Sequence, residues 1–292
     1  MKYTFIVNPN SGNAKHDISL DFLKSKFDSS DEIVLKETAY QFHAKELVKE
    51  AVAEKSDVIV ACGGDGTINE VASALVKTNI PLGIIPAGSG NGLAMNLAIP
   101  KDMNKAIDII KKHSVHSIDV GRVEDKYFFS NLGFGIDAEV IKTYEENQKR
   151  TITGYMDASV KTLLNYKSKL FRLYIDDVII EKNFYYLFCS NSNIAGYGIS
   201  FTPKADLSDG ELDLLMIEDL DVFEQFYFSV LVLAKKIDLL DKAQYRKVKK
   251  FKIESLDSKP ISYQLDGEIH KTNSLQVKVK VLPRALKIIY NS

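Results

Sequence analysis

The stretch that decides the fold is Asp57-Val58-Ile59-Val60-Ala61-Cys62-Gly63-Gly64-Asp65-Gly66-Thr67-Ile68-Asn69-Glu70. Its first half, Asp57–Cys62, reads as a buried strand of the apolar type found inside parallel sheets. The glycines that follow let the backbone approach a ligand closely, and Thr67–Lys77 reads as a helix. The start of that helix offers free N–H groups and positive dipole, which suits a phosphate. The carboxylate of Asp65 has a different use. Beside a bare phosphate it is repulsive, so it calls for Mg²⁺ between them or for a hydroxyl to activate. Taken alone, the loop is equally a tight turn capped by Asp and Thr.

The same rhythm recurs on either side of it. Tyr3–Val7 is a strand ending at Asn8-Pro9-Asn10-Ser11-Gly12, and Glu32–Glu37 is a second strand. His43–Ala53 has helical spacing of Ala44, Leu47, Val48, Ala51 and Val52. Pro81–Pro86 is another apolar strand, followed by Ala87-Gly88-Ser89-Gly90-Asn91 and a helix. Three polar glycine loops at the same ends of adjacent strands point to one shared crevice, where open α/β sheets bind ligands. No Walker lysine motif and no spaced G-x-G-x-x-G fingerprint is present.

Near residue 117 the pattern changes to strands at short spacing. They are Ser117–Val123, Tyr127–Leu132, Phe171–Asp176, Val178–Cys189, Glu211–Ile217, Val248–Glu254, Ile261–Leu265 and Leu275–Val281. Two helices interrupt them, around Tyr155–Tyr166 and Phe223–Lys236. Such a run predicts a β-sandwich. The fold class is therefore α/β. A Rossmann-like α/β domain over 1–121, completed by 284–292, precedes a β-sandwich domain over 122–283.

The 292 residues suit two domains, and 38 basic against 39 acidic residues give a net charge of −1. Without a basic excess, nucleic acid is not an expected partner. Cys62 and Cys189 lie in apolar runs and read as buried free thiols. The five histidines form no ligand-spaced pair, which argues against zinc. The expectation is a cytoplasmic chain with no signal peptide and no transmembrane segment, either free or peripheral at a membrane. The charge is uneven: Lys235–Lys252 carries eight basic residues against Asp238 and Asp241, just after an apolar, aromatic helix. That segment is either a solvated strand edge or a dock for anionic lipid.

Seven motifs stand in order along nearly the whole chain. They are Asn8-Pro9-x-Ser11-Gly12, Thr38 with His43-Ala44, GGDGTINE at 63–70, PAGSGN at 86–91, GFGID at 133–137, DGELD at 209–213 and LDGE at 265–268. Together they resemble the lipid kinase family that includes the soluble bacterial diacylglycerol kinases and the sphingosine and ceramide kinases. The resemblance implies a fold similar to NAD kinases, a three-layer α/β domain followed by a β-sandwich. It also implies ATP and Mg²⁺ as cofactors, ATP lying in the crevice between the domains, and a lipid substrate presented at a membrane surface. The nucleotide would be held by Asn8, Pro9, Asn10, Ser11, Gly12, Thr38, Gly64, Asp65, Gly66, Thr67, Ile68, Asn69, Glu70 and Ser89, with Asp65 organising the metal.

Asp266 and Glu268 flank Gly267, and on a strand positions two apart share a face. Both carboxylates are therefore expected toward one cavity, as candidates for the general base, with Glu268 preferred. A hairpin turn at Asp-Gly is the alternative. The loop 206–211 resembles a family loop for a structural Mg²⁺, with the Asp209 side chain and the carbonyls of Asp206 and Glu211 as ligands. Asp137 stands where sphingosine kinases carry an acid for the lipid amine, or else caps a helix. Asn91-Gly92-Leu93-Ala94 departs from the Asn-Asp usual in bacterial diacylglycerol kinases, so the acceptor stays open between diacylglycerol-like and sphingoid lipids. An NAD kinase and a non-catalytic lipid- or nucleotide-binding regulator are the rival readings. The oligomeric state is open, a homodimer included.

Overall fold

The computed structural model describes residues 1–11, 18–88, 90–146, 154, 158–159, 162, 166–194, 200–234 and 236–291. The chain forms two compact units, Met1–Val120 with Pro283–Ser292 and Gly121–Leu282.

In the first unit, strands β1 (Lys2–Val7), β2 (Glu32–Glu37), β3 (Val58–Gly63) and β4 (Leu82–Pro86) form a parallel sheet in the order β4-β3-β1-β2. Every residue of β3 and β4 is buried, as expected for strands covered on both faces. Helices α1 (Leu20–Lys26), α2 (His43–Ala53) and α3 (Asp65–Leu75) connect the strands. The chain runs from β1 outward to β2, then back past β1 to β3. Right-handed crossovers therefore place α1 on one face of the sheet and α2 with α3 on the other. After the short α4 (Gly92–Asn96), α5 (Met103–Lys112) joins α1, its Lys111 Nζ donating to the Lys26 carbonyl at 2.7 Å. The reversal between β1 and β3 is the switch point at which such sheets bind ligands, beyond the carboxyl ends of their strands.

The second unit is built on antiparallel pairing. Its strands include β6 (Lys126–Phe128), β7 (Asn131–Gly135), β8 (Lys169–Ile175), β9 (Val178–Ser190), β10 (Leu212–Glu218) and β11 (Ala243–Val248). β12 (Lys250–Ser255), β13 (Ser262–Leu265) and β14 (Glu268–Lys271) follow. β5 (Val115–Val123) and β15 (Gln276–Ile289) each contribute one end to either unit. Alternation along β9 and β10 separates two cores. Leu187, Cys189, Leu212, Leu214 and Met216 enter the sandwich core with Phe128 and Phe134. Tyr186, Phe188, Leu215 and Ile217 face the other way, toward α6 (Ile136–Glu146) and α7 (Val222–Ala234). A register shift at Ile217/Glu218, opposite Phe184 and Tyr186, turns the consecutive Tyr185 and Tyr186 into the same core.

Some expected boundaries differ. The strand expected over Tyr127–Leu132 is two strands, β6 and β7, with different partners. The break falls where the N–H groups of Phe129, Ser130 and Asn131 go to the Asp266 carboxylate. The expected strand Val248–Glu254 divides at Lys249 into β11 and β12. The expected strand Leu275–Val281 continues through Pro283 to Ile289, with Arg284 at φ 50° and its N–H on the buried Asp119 carboxylate at 2.7 Å. Most of the helix expected at Tyr155–Tyr166 lies outside the described residues.

Within the second unit Gly121 pairs with Phe128 across β5 and β6, and a Cβ at Gly121 would come within 2.1 Å of the Phe128 ring. Gly121→Ala should therefore lower unfolding free energy by about 1–3 kcal/mol, the usual cost of overpacking. The shift in urea midpoint measures it, and an unchanged midpoint would contradict this packing.

Candidate active site

In the first unit the carboxyl ends of β1, β3 and β4 are tied to one another. Asn8 N–H donates to the Cys62 carbonyl at 2.9 Å, and Ala87 N–H to the Gly63 carbonyl at 2.8 Å. Asn8 Nδ2 donates to Thr67 Oγ1 at 3.0 Å, while its Oδ1 accepts Asn10 N–H at 3.0 Å. Ser11 folds back on the Asn8 carbonyl through both its N–H and its hydroxyl. Thr38 N–H continues the β2 edge by bonding the Val7 carbonyl. Gly12 and Ser89 lie outside the described residues.

Asp65 bridges two loops. Its Oδ2 accepts Asn91 N–H at 2.8 Å and its Oδ1 accepts Gly92 N–H at 2.6 Å, so it caps α4. Asn91 closes its own loop by exchanging hydrogen bonds with Gly88. Space forbids side chains here. A Cβ on Gly88 would come within 2.6 Å of Gly64 Cα, and one on Gly90 within 2.6 Å of Asp65 Oδ2. The helix behind this cradle, α3, has Gly64 as its N-cap and no side-chain cap. Its first internal bond is Ile68 N–H to the Gly64 carbonyl at 3.0 Å. The N–H groups of Asp65, Gly66 and Thr67 precede that bond, where a helix presents donors to an anion.

Two members of GGDGTINE act sideways instead. Glu70 Oε1 accepts Phe42 N–H at 3.0 Å, holding Phe42 at φ 69° before α2. Asn69 Oδ1 accepts the Ser73 hydroxyl at 3.2 Å. His43 stacks on Tyr40 with centroids 4.3 Å apart and takes Ala39 N–H on Nδ1. The partners of Glu70 and His43 were not legible from spacing, since they lie in loops without periodicity.

In the second unit the LDGE segment is a two-residue hairpin. Leu265 pairs with Glu268, while Asp266 and Gly267 take φ 47° and 90°. Left-handed angles at both turn residues are the signature of an Asp-Gly hairpin. This corrects the expectation that Asp266 and Glu268 share a strand face, because the period-two rule stops where the strand turns. The Asp266 carboxylate accepts three backbone N–H bonds at 2.8–3.0 Å, from Phe129, Ser130 and Asn131. Gln264 braces the turn from beneath, with Nε2 to Asn131 Oδ1 and Oε1 from Gly267 N–H. Glu268 opens β14 and is exposed.

Asp137 does not precede its helix as a cap but lies in the first turn of α6, buried. Burial pushes its carboxyl up to about 6, against hydrogen bonds from Gln264 and Tyr186 that favour the charged form. A Cβ at Gly133 would overlap this carboxyl, so glycine is required there.

The 206–211 loop does not fit the cation that the resemblance implies. Asp206 Oδ1 accepts Ser208 N–H and hydroxyl, and Asp209 Oδ1 accepts Glu211 N–H. Lys247 holds Asp209 Oδ2, so the one side chain expected to bind metal is neutralised by an ammonium. Among the described residues no three His, Cys, Asp or Glu side chains form a metal-holding group. Both cysteines are buried and burial raises their thiols, which makes neither a nucleophile.

The chain thus joins an α/β unit, with main-chain donors gathered at its switch point, to an antiparallel sandwich with an acidic hairpin. Residues 2–123 match the diacylglycerol kinase catalytic domain, and residues 130–290 match the YegS C-terminal NAD kinase beta sandwich-like domain. A diacylglycerol kinase of Staphylococcus aureus is 30% identical over 225 residues, covering 75% of this chain and 70% of the relative. A diacylglycerol kinase of Bacillus subtilis is 28% identical over 271 residues, covering 90% and 88%. A crystal structure of a diacylglycerol kinase from Bacillus anthracis has a TM-score of 0.71 at 22% identity, covering 99% and 97%. A further Bacillus anthracis structure reaches 0.81 at 25% identity with the same coverage. The chain belongs to the diacylglycerol kinase family and is a lipid kinase.

Two outcomes follow from this geometry. Asp266→Ala should cost about 2–4 kcal/mol of stability by stranding backbone donors, whereas Glu268→Ala should cost under about 1 kcal/mol. Equal denaturation midpoints for the two variants would contradict the assignment. Because Asp137 titrates near 6 in the fold against 3.8 ordinarily, its protonated form favours folding. That contribution is complete below pH about 4 and is lost as pH rises through about 6. The wild type should lose stability relative to Asp137→Asn over that window, and a pH-independent difference would refute it.

Proposed function

We propose that this lipid kinase transfers the γ-phosphoryl group of ATP, with Mg²⁺, to the hydroxyl of a diacylglycerol-like or sphingoid lipid presented at a membrane surface. The observation that carries the reading is the uncapped N-terminus of α3, lying beside a loop in which a Cβ on Gly88 or Gly90 would come within 2.6 Å of Gly64 or Asp65. That arrangement fits a polyphosphate, because the donors are main-chain and fixed in place. Bound there, Mg²⁺–ATP supplies the phosphoryl group and neutralises the charge that develops on its oxygens.

The protein's own residues do the rest. The N–H groups of Asp65, Gly66 and Thr67 orient the phosphates, and the Asn8–Thr67 bond keeps the first loop against α3. Asp65 spends one lone pair per oxygen on Asn91 and Gly92, and the remaining pairs are available to a hydrated metal ion. Glu268 accepts the proton of the lipid hydroxyl. Asp266 is the weaker candidate for that role, since three backbone donors already occupy its carboxylate. Its part is to set the turn that positions Glu268. The relatives named diacylglycerol kinase support a glycerolipid acceptor.

Steady-state kinetics with ATP, Mg²⁺ and dispersed lipid test these roles. Glu268→Gln and Asp65→Asn should each lower kcat by about 10²-fold or more, as when a catalytic group is lost. Near-native rates in both variants would refute the assignments. NAD serves as the control acceptor, and its phosphorylation in preference to lipid would favour the NAD kinase reading.

A further inference from the structure

The 206–211 loop leads directly into β10, and β10 pairs with β11 in a register that sets Asp213 opposite Lys247. Residues directly opposite on an antiparallel pair point to the same face, close enough for their side chains to interact. Leu212 and its partner Val248 enter the sandwich core, as does Leu214, so Asp213 and Lys247 lie on the other face. A slip of one residue would turn both charges into that core, which fixes the register. Strand pairing thus delivers an ammonium to the end of the loop. Its Nζ donates to Asp209 Oδ2 and lies 3.8 Å from Asp213 Oδ2.

Four acids act on one another here. Asp213 is buried, and burial pushes its carboxyl up. Lys247 opposes that shift, while Asp209, Glu211 and Asp206 add to it. In return, the bond to Asp209 pushes the ammonium up against partial burial, and Asp213 and Glu211 add to the rise. An isolated, exposed ion pair contributes little to stability. This ammonium serves a buried carboxylate and an adjoining loop at once, so its loss would leave their mutual repulsion unopposed.

The loop also has little room for a second cation. Of the ligands that the family resemblance implies, the Asp209 side chain and the carbonyls of Asp206 and Glu211, only the side chain carries a full charge. Its Oδ1 accepts Glu211 N–H at 3.0 Å, and its Oδ2 accepts Lys247. A divalent ion on Oδ2 would meet the ammonium at close range, where like charges repel strongly.

We propose that Lys247 takes the place of the loop's structural divalent cation in this chain, a built-in counter-ion that lets the second unit keep its 206–211 loop without bound metal. The Mg²⁺ of the reaction is then needed only with the nucleotide. The inference stands apart from the phosphoryl-transfer reading, because it concerns stability in the absence of nucleotide.

Thermal unfolding of the full chain without ATP tests it, in EDTA and in millimolar Mg²⁺ or Ca²⁺ at matched ionic strength. The wild-type Tm should differ by less than about 1 °C between these conditions, whereas a structural cation at a hundred times its Kd would raise it by about 5 °C or more. Lys247→Met should melt several degrees lower than wild type in EDTA and regain most of that loss with either ion, through the freed Asp209 carboxylate. Adding Asp209→Asn to Lys247→Met should abolish the regain. Lys247→Arg, which keeps the charge, should melt independently of metal, and it carries the test should Lys247→Met not fold. A wild-type Tm that rises with metal by several degrees and loses this response with Asp209→Asn would overturn the proposal. So would a Lys247→Met chain as stable as wild type in EDTA, one destabilised alike with and without metal, or a Lys247→Arg chain that needs metal to fold.

Discussion

The first unit depends on where one carboxylate sends its oxygens. Asp65 places one on the Asn91 N–H and the other on the Gly92 N–H, so the loop after β3 and the loop after β4 are fixed to each other. Glycine at 88 and 90 is a consequence of that approach, not a separate requirement. Such bonds between an ionised acceptor and main-chain donors are strong for their kind. They leave the N-terminus of α3 without a cap of its own. The N–H groups of Asp65, Gly66 and Thr67 are left ahead of the first internal bond of α3.

The second unit uses the same device. Asp266 is held by three main-chain donors and thereby shapes the hairpin that begins β14. In both units an acid that looks catalytic in the sequence is spent on architecture, at least in part. The surroundings of Asp266 thus differ from those of Glu268, which is exposed at the start of β14. The bonds to Asp266 also explain the local breakdown of strand order at Phe129 and Ser130, whose N–H groups are withdrawn from any ladder.

Legibility in the sequence followed periodicity. The strands of the parallel sheet were readable because buried strands are apolar runs bounded by glycine or proline, as in Val58–Gly63 and Leu82–Pro86. Helix α2 was readable from the spacing of Ala44, Leu47, Val48 and Ala51, all buried. Strand β11 was not, because as an edge strand its sequence AQYRKV is mostly exposed and carries no alternation. Strand β14 was hidden by the turn before it. Helix α1 is short and buries only Leu23, too little for a pattern. Long-range contacts, such as Glu70 to Phe42 or Lys247 to Asp209, have no local signature at all.

Phosphoryl transfer to a lipid hydroxyl is read from the identity of the product. The purified chain would be incubated with ATP, Mg²⁺ and an equal mixture of diacylglycerol, sphingosine and NAD, and the products resolved by mass spectrometry. One new phosphomonoester on a lipid hydroxyl is expected, formed only with ATP present. Phosphorylated NAD as the sole product, or ATP bound with no phosphorylated acceptor, would contradict it.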